Sequence, residues 1–119
     1  VQREANGVDL LIHEALSSEL LQPLSEVAGA VGRGNLAQIF VDIQNYHTSP
    51  EQAAQTAQTA GAKYLLLTHI VPPLPLPGLQ QAFLGDAETI FTGPLRVGQD
   101  GDFVSMPAGT DEVTLSSRL

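Results

Sequence analysis

The chain has 119 residues, of which 43% are hydrophobic, and this length and composition favour one compact domain with its own core. Its 5 basic and 13 acidic residues give a net charge of −8, which argues against binding nucleic acid or an anionic membrane. No run approaches the roughly 20 apolar residues that span a bilayer, so we expect a soluble protein, either cytoplasmic or periplasmic. Cysteine is absent, so any metal must be held by His, Asp or Glu. The first residue is Val1 rather than Met, from which we expect a processed or truncated chain.

The N-terminal part of the sequence predicts a strand followed by a helix. Residues 8–13 form a nearly continuous apolar run, which is typical of a strand buried on both faces. Ser17 and Ser18 can cap a helix whose apolar positions continue to Val31. Pro23 either kinks this helix or marks its true start.

Two further helices are predicted in the middle of the chain. Asn35, with a glutamine three residues later, resembles a capping arrangement, and the apolar spacing that follows predicts a helix to about Tyr46. Ser49 and Pro50 are a strong helix start, because the hydroxyl can accept orphan amide hydrogen bonds and proline suits the first helical position. The next helix therefore covers residues 51–60.

The second half of the chain predicts mainly short strands. A second buried strand covers residues 63–69, and the proline run after it predicts that the chain leaves the sheet immediately after His69. Residues 107–119 are polar and predict no element. The other predicted elements are a short helix within 78–87, a short strand at 89–91 and a hairpin of strands 95–97 and 103–106.

All three histidines fall at the ends of predicted elements, where α/β folds place their sites. His13 ends the first strand, His47 precedes a helix, and His69 ends the second strand. Alternatively, a histidine at such a position is structural and only forms a hydrogen bond with a loop. Glu14 follows His13 and can either orient an imidazole or cap a loop.

Three motifs in this order resemble a known family. They are Leu-Ile-His-Glu-Ala at 11–15, His-Thr-Ser-Pro-Glu-Gln-Ala-Ala at 47–54, and Leu-Leu-Leu-Thr-His at 65–69. Together they resemble the C-terminal part of a metallo-β-lactamase-fold hydrolase, in the branch with ribonuclease Z and arylsulfatase-like phosphodiesterases. The resemblance implies an α/β fold, in which residues 1–106 form the C-terminal half of a four-layer αββα sandwich. This half would contain a mixed sheet with flanking helices, and residues 107–119 would be a polar tail.

The resemblance also implies a two-metal hydrolytic site, usually with zinc. His69 would be the last metal ligand, His47 the catalytic histidine that assists ester cleavage, and His13 and Glu14 supporting residues. The remaining ligands would be an upstream His-x-His-x-Asp-His motif, another histidine and a bridging aspartate, and this chain lacks that upstream motif. Because catalytic zinc needs at least three protein ligands, the isolated chain is predicted to be inactive.

The expected substrate is a small ester. Directly after His69, residues 70–73 are Ile-Val-Pro-Pro. In ribonuclease Z the segment that begins at the corresponding histidine resembles His-x-Ser-x-Arg. Without that arginine, and with a net charge of −8, a small phosphodiester, cyclic nucleotide or sulfate ester is a more plausible substrate than tRNA.

The alternative function is a non-enzymatic binding or assembly module, in which His47 and His69 are structural and residues 72–77 contact a partner. If the chain is half of the sandwich, it would expose the apolar face of strands 8–12 and 64–67. We expect the missing N-terminal half or a second copy of the chain to cover this face, the latter as a homodimer, unless the tail covers part of it.

Overall fold

A parallel sheet of three strands, in the order β1-β2-β3, forms the centre of the computed structural model, which describes residues 1–119. The strands of this sheet are β1 (Leu10–Leu16), β2 (Tyr64–Val71) and β3 (Leu95–Val97). A separate antiparallel pair contains β4 (Asp102–Ser105) and β5 (Thr114–Ser117). The helices are α1 (Ser18–Ala30), α2 (Gly34–Asp42), α3 (Pro50–Ala60), α4 (Leu79–Leu84) and α5 (Ala87–Ile90), with a 3₁₀ turn at Ile43–Asn45. None of these helices has the length and apolar character needed to cross a membrane.

Helix α3 directly precedes β2 and forms one side of the core. Its buried face consists of alanines, and such small side chains let the helix approach the sheet closely. Leu65 and Leu67 of β2 have no exposed surface and belong to one hydrophobic cluster with the alanines of α3. Phe83 of α4 packs into the same cluster. The core therefore lies between the sheet and α3 to α5.

The predicted starts of α1 and α3 are confirmed. Ser17 caps α1, and Pro23 lies inside the helix rather than at its start. Ser49 forms a complete capping box with Gln52, and Gly61 ends α3 in the left-handed conformation, at φ 65°. These caps are local interactions, which explains why the sequence pattern predicts them.

Several predicted boundaries are wrong. Strand β1 continues through Glu14 to Leu16, so His13 is inside the strand and not at its end. The predicted cap at Asn35 is absent, because α2 already begins at Gly34. Strand β2 does not stop at His69 but reaches Val71, and the pairing with β1 shifts by one residue at this point. A β-bulge therefore replaces the predicted strand end.

The predicted elements after residue 87 also need correction. Residues predicted as the strand 89–91 lie mostly in helix α5. The predicted hairpin does not form, because β3 joins the main sheet parallel to β2, and β4 pairs with β5 from within the polar tail. The sequence pattern predicts neither pairing, because two helices separate β2 from β3 and the polar residues 107–119 show no strand pattern.

The second face of the sheet is only partly open. Arg96 of β3 is paired in register with Leu66, and its guanidinium donates to both carboxylate oxygens of Asp102 at the start of β4. Leu66 is 6% exposed, whereas Ile12 on β1 is 56% exposed. Leu10 and Tyr64 on the same face are half-buried, so the apolar surface expected on this face is partly covered.

Asp102 gives the fold a pH-dependent contact. The Gln99 backbone N–H and the Arg96 guanidinium hold the pKa of Asp102 below its ordinary value, although burial opposes them. Because the folded-state pKa is below the unfolded-state pKa, the ionised carboxylate stabilises the fold at pH values above the unfolded-state pKa. This stabilisation is lost as pH falls through the folded-state pKa.

We expect Asp102→Asn to destabilise the protein at neutral pH and to matter progressively less below about pH 4. Urea unfolding of both proteins at pH values from neutral to below 4 measures this effect, with Asp100→Asn at an exposed position as control. A loss of unfolding free energy in Asp102→Asn that is independent of pH would contradict the prediction.

Candidate active site

Glu14, His47 and His69 lie together at the carboxyl ends of β1 and β2. Glu14 is on β1, His69 is in β2, and His47 follows the 3₁₀ turn before α3. Their ligand-type atoms all lie within 4.8 Å of one another. The structure thus brings together three of the four site residues predicted from sequence.

The bulge in β2 is centred on His69. Thr68 pairs with Glu14 and Ile70 with Ala15, so His69 has no partner in the ladder. Its φ of 46° is rare for a residue with a β-carbon, and such backbone strain is typical of functional positions. The exposed His69 ring forms no hydrogen bond and stacks on His47, with ring centroids 5.7 Å apart.

Both carboxylate oxygens of Glu14 are engaged. Glu14 Oε2 lies 2.9 Å from His47 Nδ1, and Oε1 accepts the Thr48 backbone N–H at 2.8 Å. Burial raises the pKa of Glu14, but the hydrogen bonds from His47 and Thr48 together outweigh it and lower that pKa below its ordinary value. An ionised carboxylate can only accept, so His47 Nδ1 donates and its Nε2 is left for another partner.

The backbone holds the loop of His47 against the two strand ends. The Leu16 N–H donates to the Thr48 carbonyl, and the Ser17 N–H donates to the Val71 carbonyl, both at 2.8 Å. Immediately afterwards the Ser49 capping box fixes the start of α3. The position of His47 therefore depends on β1, β2 and α3 together, which is the rigid support that a catalytic side chain needs.

His13 is not brought into the cluster. Strand alternation places neighbouring side chains on opposite faces, and the His13 ring Nδ1 donates to the Glu14 carbonyl at 2.8 Å. Its contact with the cluster is thus through the backbone of β1. The sequence pattern does not predict the hydrogen bond from the Thr48 N–H to Glu14. Its only local signal is the position of Thr48 between His47 and the helix cap.

A cleft of about 630 Å³ opens beside His69. Its walls come from the end of β2 and from the segment between β3 and β4. Polar lining residues include Thr68, Gln99, Asp100 and Asp102. His47 does not line this cleft, whereas His69, whose ring stacks on His47, does.

Comparisons with known proteins place this geometry in context. No family model matches the chain. It is 32% identical over 96 residues to ribonuclease Z of Mycobacterium tuberculosis (strain H37Rv), covering 81% of the chain and 31% of that protein. It is 35% identical over 96 residues to ribonuclease Z of Mycolicibacterium gilvum (strain PYR-GCK), covering 81% of the chain and 29% of that protein. The chain thus spans about a third of the length of the curated relatives that it matches.

A solved structure is similar over nearly the whole chain. The metallo-β-lactamase fold protein YhfI from Bacillus subtilis superimposes with a TM-score of 0.52 and 22% identity. The match covers 96% of this chain and 34% of that protein. At this identity the likeness concerns the fold, and it confirms the predicted fold class. The relatives, in turn, confirm the resemblance on which that prediction was based.

Proposed function

Since this chain belongs to the ribonuclease Z-like family of metallo-β-lactamase-fold proteins, we propose that it forms part of a metal-dependent hydrolase of phosphodiesters or sulfate esters. One observation carries the proposal: the unpaired imidazole of His69 lies beside a His47 ring that Glu14 holds through Nδ1. This arrangement separates a group that can bind metal from a group that can carry a proton.

The donor set fits zinc at His69. Neither nitrogen of that exposed ring has a hydrogen-bond partner, and neutral imidazole is an ordinary zinc ligand. Glu14 fits less well, because coordination would break its hydrogen bonds to His47 or Thr48. We therefore assign metal binding to His69 and an orienting role to Glu14. When bound, zinc supplies an activated water and stabilises the charge that develops on the ester oxygens.

His47 is the proton-carrying residue in this proposal. Glu14 fixes the ring orientation and tautomer through Nδ1, as a carboxylate partner does in other histidine-dependent hydrolases. The Nε2 atom can then hold a proton and deliver it to the leaving oxygen of the ester. His13 supports the Glu14–His47 pair only through its hydrogen bond to the backbone carbonyl of Glu14.

The charge around the cleft favours a small ester over a polyanion. Asp100 lines the cleft without a basic partner, Asp102 there is paired with Arg96, and the whole chain carries a net charge of −8. Such a surface repels a nucleic-acid backbone, whereas a single phosphodiester or sulfate brings only one negative charge. We therefore propose a small phosphodiester, cyclic nucleotide or sulfate ester as substrate and no nucleic-acid partner.

The site is completed from outside this chain. Catalytic zinc is held by three protein ligands, and the chain offers one imidazole that is free of hydrogen bonds. We propose that the part of the longer relatives that this chain does not cover supplies the others, so that the chain alone is inactive.

A bis-aryl phosphodiester assay with added zinc tests this proposal. The chain alone should give no turnover above zinc in buffer, whereas a protein that joins it to an upstream His-x-His-x-Asp-His segment should turn over. A chelator should abolish that turnover and zinc should restore it. Turnover by the chain alone would contradict the incomplete site. A longer protein inactive on both the phosphodiester and an aryl sulfate would instead favour the binding-module alternative.

A further inference from the structure

The cleft beside His69 contains one carboxylate that has no ionic partner, that of Asp100. No lysine or arginine lines this cleft. The carboxylate of Asp102, which also lines it, is occupied by the Arg96 guanidinium at 2.7 Å. Asp100 is exposed and forms no ion pair. Apart from the imidazole of His69, the electrostatic character of the cleft is therefore set by this one carboxylate.

Backbone contacts fix the position of Asp100 beside the end of β2. The Gly98 N–H donates to the Leu67 carbonyl at 2.7 Å, and a β-carbon at Gly98 would come within 2.9 Å of the same carbonyl oxygen. One residue later, the Gln99 N–H donates to the Asp102 carboxylate at 2.9 Å. The segment between β3 and β4 is thus held closely against the strand that carries the candidate metal ligand.

Apolar side chains form another part of the cleft lining, and they restrict what Asp100 can bind. These residues are Ile70, Pro73 and Leu74. A substituted ammonium group combines a positive charge with alkyl groups, so it can contact both a carboxylate and apolar side chains. A hard metal ion fits less well, because Ca²⁺ and Mg²⁺ need several oxygen ligands and Asp100 is the only unpaired carboxylate of the cleft.

The charge of the proposed substrate favours the same group. This inference rests on the proposed function, in which zinc held by His69 stabilises the charge on the ester oxygens. Asp100 repels any further negative charge on the ester and attracts a positive one. We propose that the substrate is a zwitterionic phosphodiester, one alcohol of which carries a substituted ammonium group that Asp100 binds in the cleft. The reaction is still hydrolysis: an oxygen from water bonds to phosphorus, the bond to the leaving oxygen breaks, and His47 supplies the proton to that oxygen.

Binding of two esters to the zinc-loaded chain tests this inference without turnover. Para-nitrophenyl phosphocholine carries a trimethylammonium group, whereas para-nitrophenyl 3,3-dimethylbutyl phosphate carries an uncharged tert-butyl group of the same shape. We expect the first to bind about tenfold more tightly, as measured by the NMR shifts of the Gly98 and Gln99 amides. The preference should decrease between about 0.1 M and about 1 M salt, because the Debye length falls from about 10 Å to about 3 Å.

Two variants show whether Asp100 is responsible for the preference. Asp100→Asn keeps the shape of the side chain but removes its charge, so the two dissociation constants should come within about twofold of each other. Glu88→Gln is the control, because it removes the same charge at an exposed position of α5 outside the cleft and should leave the preference within about twofold. The inference is overturned if the cationic ester does not shift these amides, if both esters bind equally, or if the preference survives in Asp100→Asn.

Turnover of the same two esters separates this inference from the proposed function. In a protein that contains the complete site, the ratio of the two kcat/KM values should follow the binding preference of the chain. A longer protein that hydrolyses neither ester, while the chain still prefers the cationic one, would contradict the proposed hydrolysis and support the ammonium site. Equal hydrolysis of both esters would instead contradict the ammonium site and leave the proposed hydrolysis intact.

Discussion

Replacing His47 with glutamine should lower kcat for a bis-aryl phosphodiester by about 10²–10⁴-fold in a protein that contains the complete site. The variant keeps a polar side chain at the end of the loop but cannot deliver a proton from Nε2. Metal content should be unchanged, because His47 is assigned to proton transfer and not to coordination. Kinetics and metal analysis on the same preparation check both parts.

The control for this prediction is Gln55→Ala, an exposed change on α3 outside the site. Its kcat should stay within about twofold of the starting value. If His47→Gln instead lost metal and activity together, His47 would be a ligand, and the separation of roles between His47 and His69 would be wrong.

The largest expected effect on stability comes from Phe83→Ala. Phe83 is 1% exposed and packs into the cluster formed by β2, α3 and α5, so its truncation leaves a cavity. Such substitutions cost about 3–5 kcal/mol, against a free energy of unfolding of about 5–15 kcal/mol for a typical domain. We expect a large fall in the urea midpoint with an unchanged slope.

Phe103→Ala provides the comparison within the same chain. Phe103 is 44% exposed, and its main specific contact is the Arg118 guanidinium, 4.1 Å from the ring centroid. Losing an exposed cation–π contact costs about 0.5–1 kcal/mol. Equal losses for the two variants would show that Phe83 is not packed as described.

The sequence predicts best what neighbouring residues decide. The α3 capping box at Ser49 and the left-handed Gly61 depend on contacts within one helix, and both are visible as short motifs. The family resemblance, and not the pattern of element ends, assigned His47 and His69 to one site, and their rings stack with centroids 5.7 Å apart.

What the sequence does not predict depends on pairing between distant segments. The bulge at His69 exists only relative to the register of β1, and the Thr48 N–H reaches Glu14 across 34 positions of sequence. Strand β3 has three residues and joins the sheet through β2. A segment this short has no distinct pattern of its own, so its partner cannot be read from its residues.

Residue-resolved NMR of the imidazole nitrogens during a zinc titration of the chain tests the assignment of roles most directly. We expect zinc to perturb the His69 ring, His69→Ala to abolish this perturbation at the site, and Glu14→Gln to preserve zinc binding at His69. The proton on His47 Nδ1 should remain hydrogen-bonded to Glu14 in the wild-type chain throughout the titration. Zinc binding that survives His69→Ala but is lost in Glu14→Gln would show that Glu14, and not His69, is the ligand.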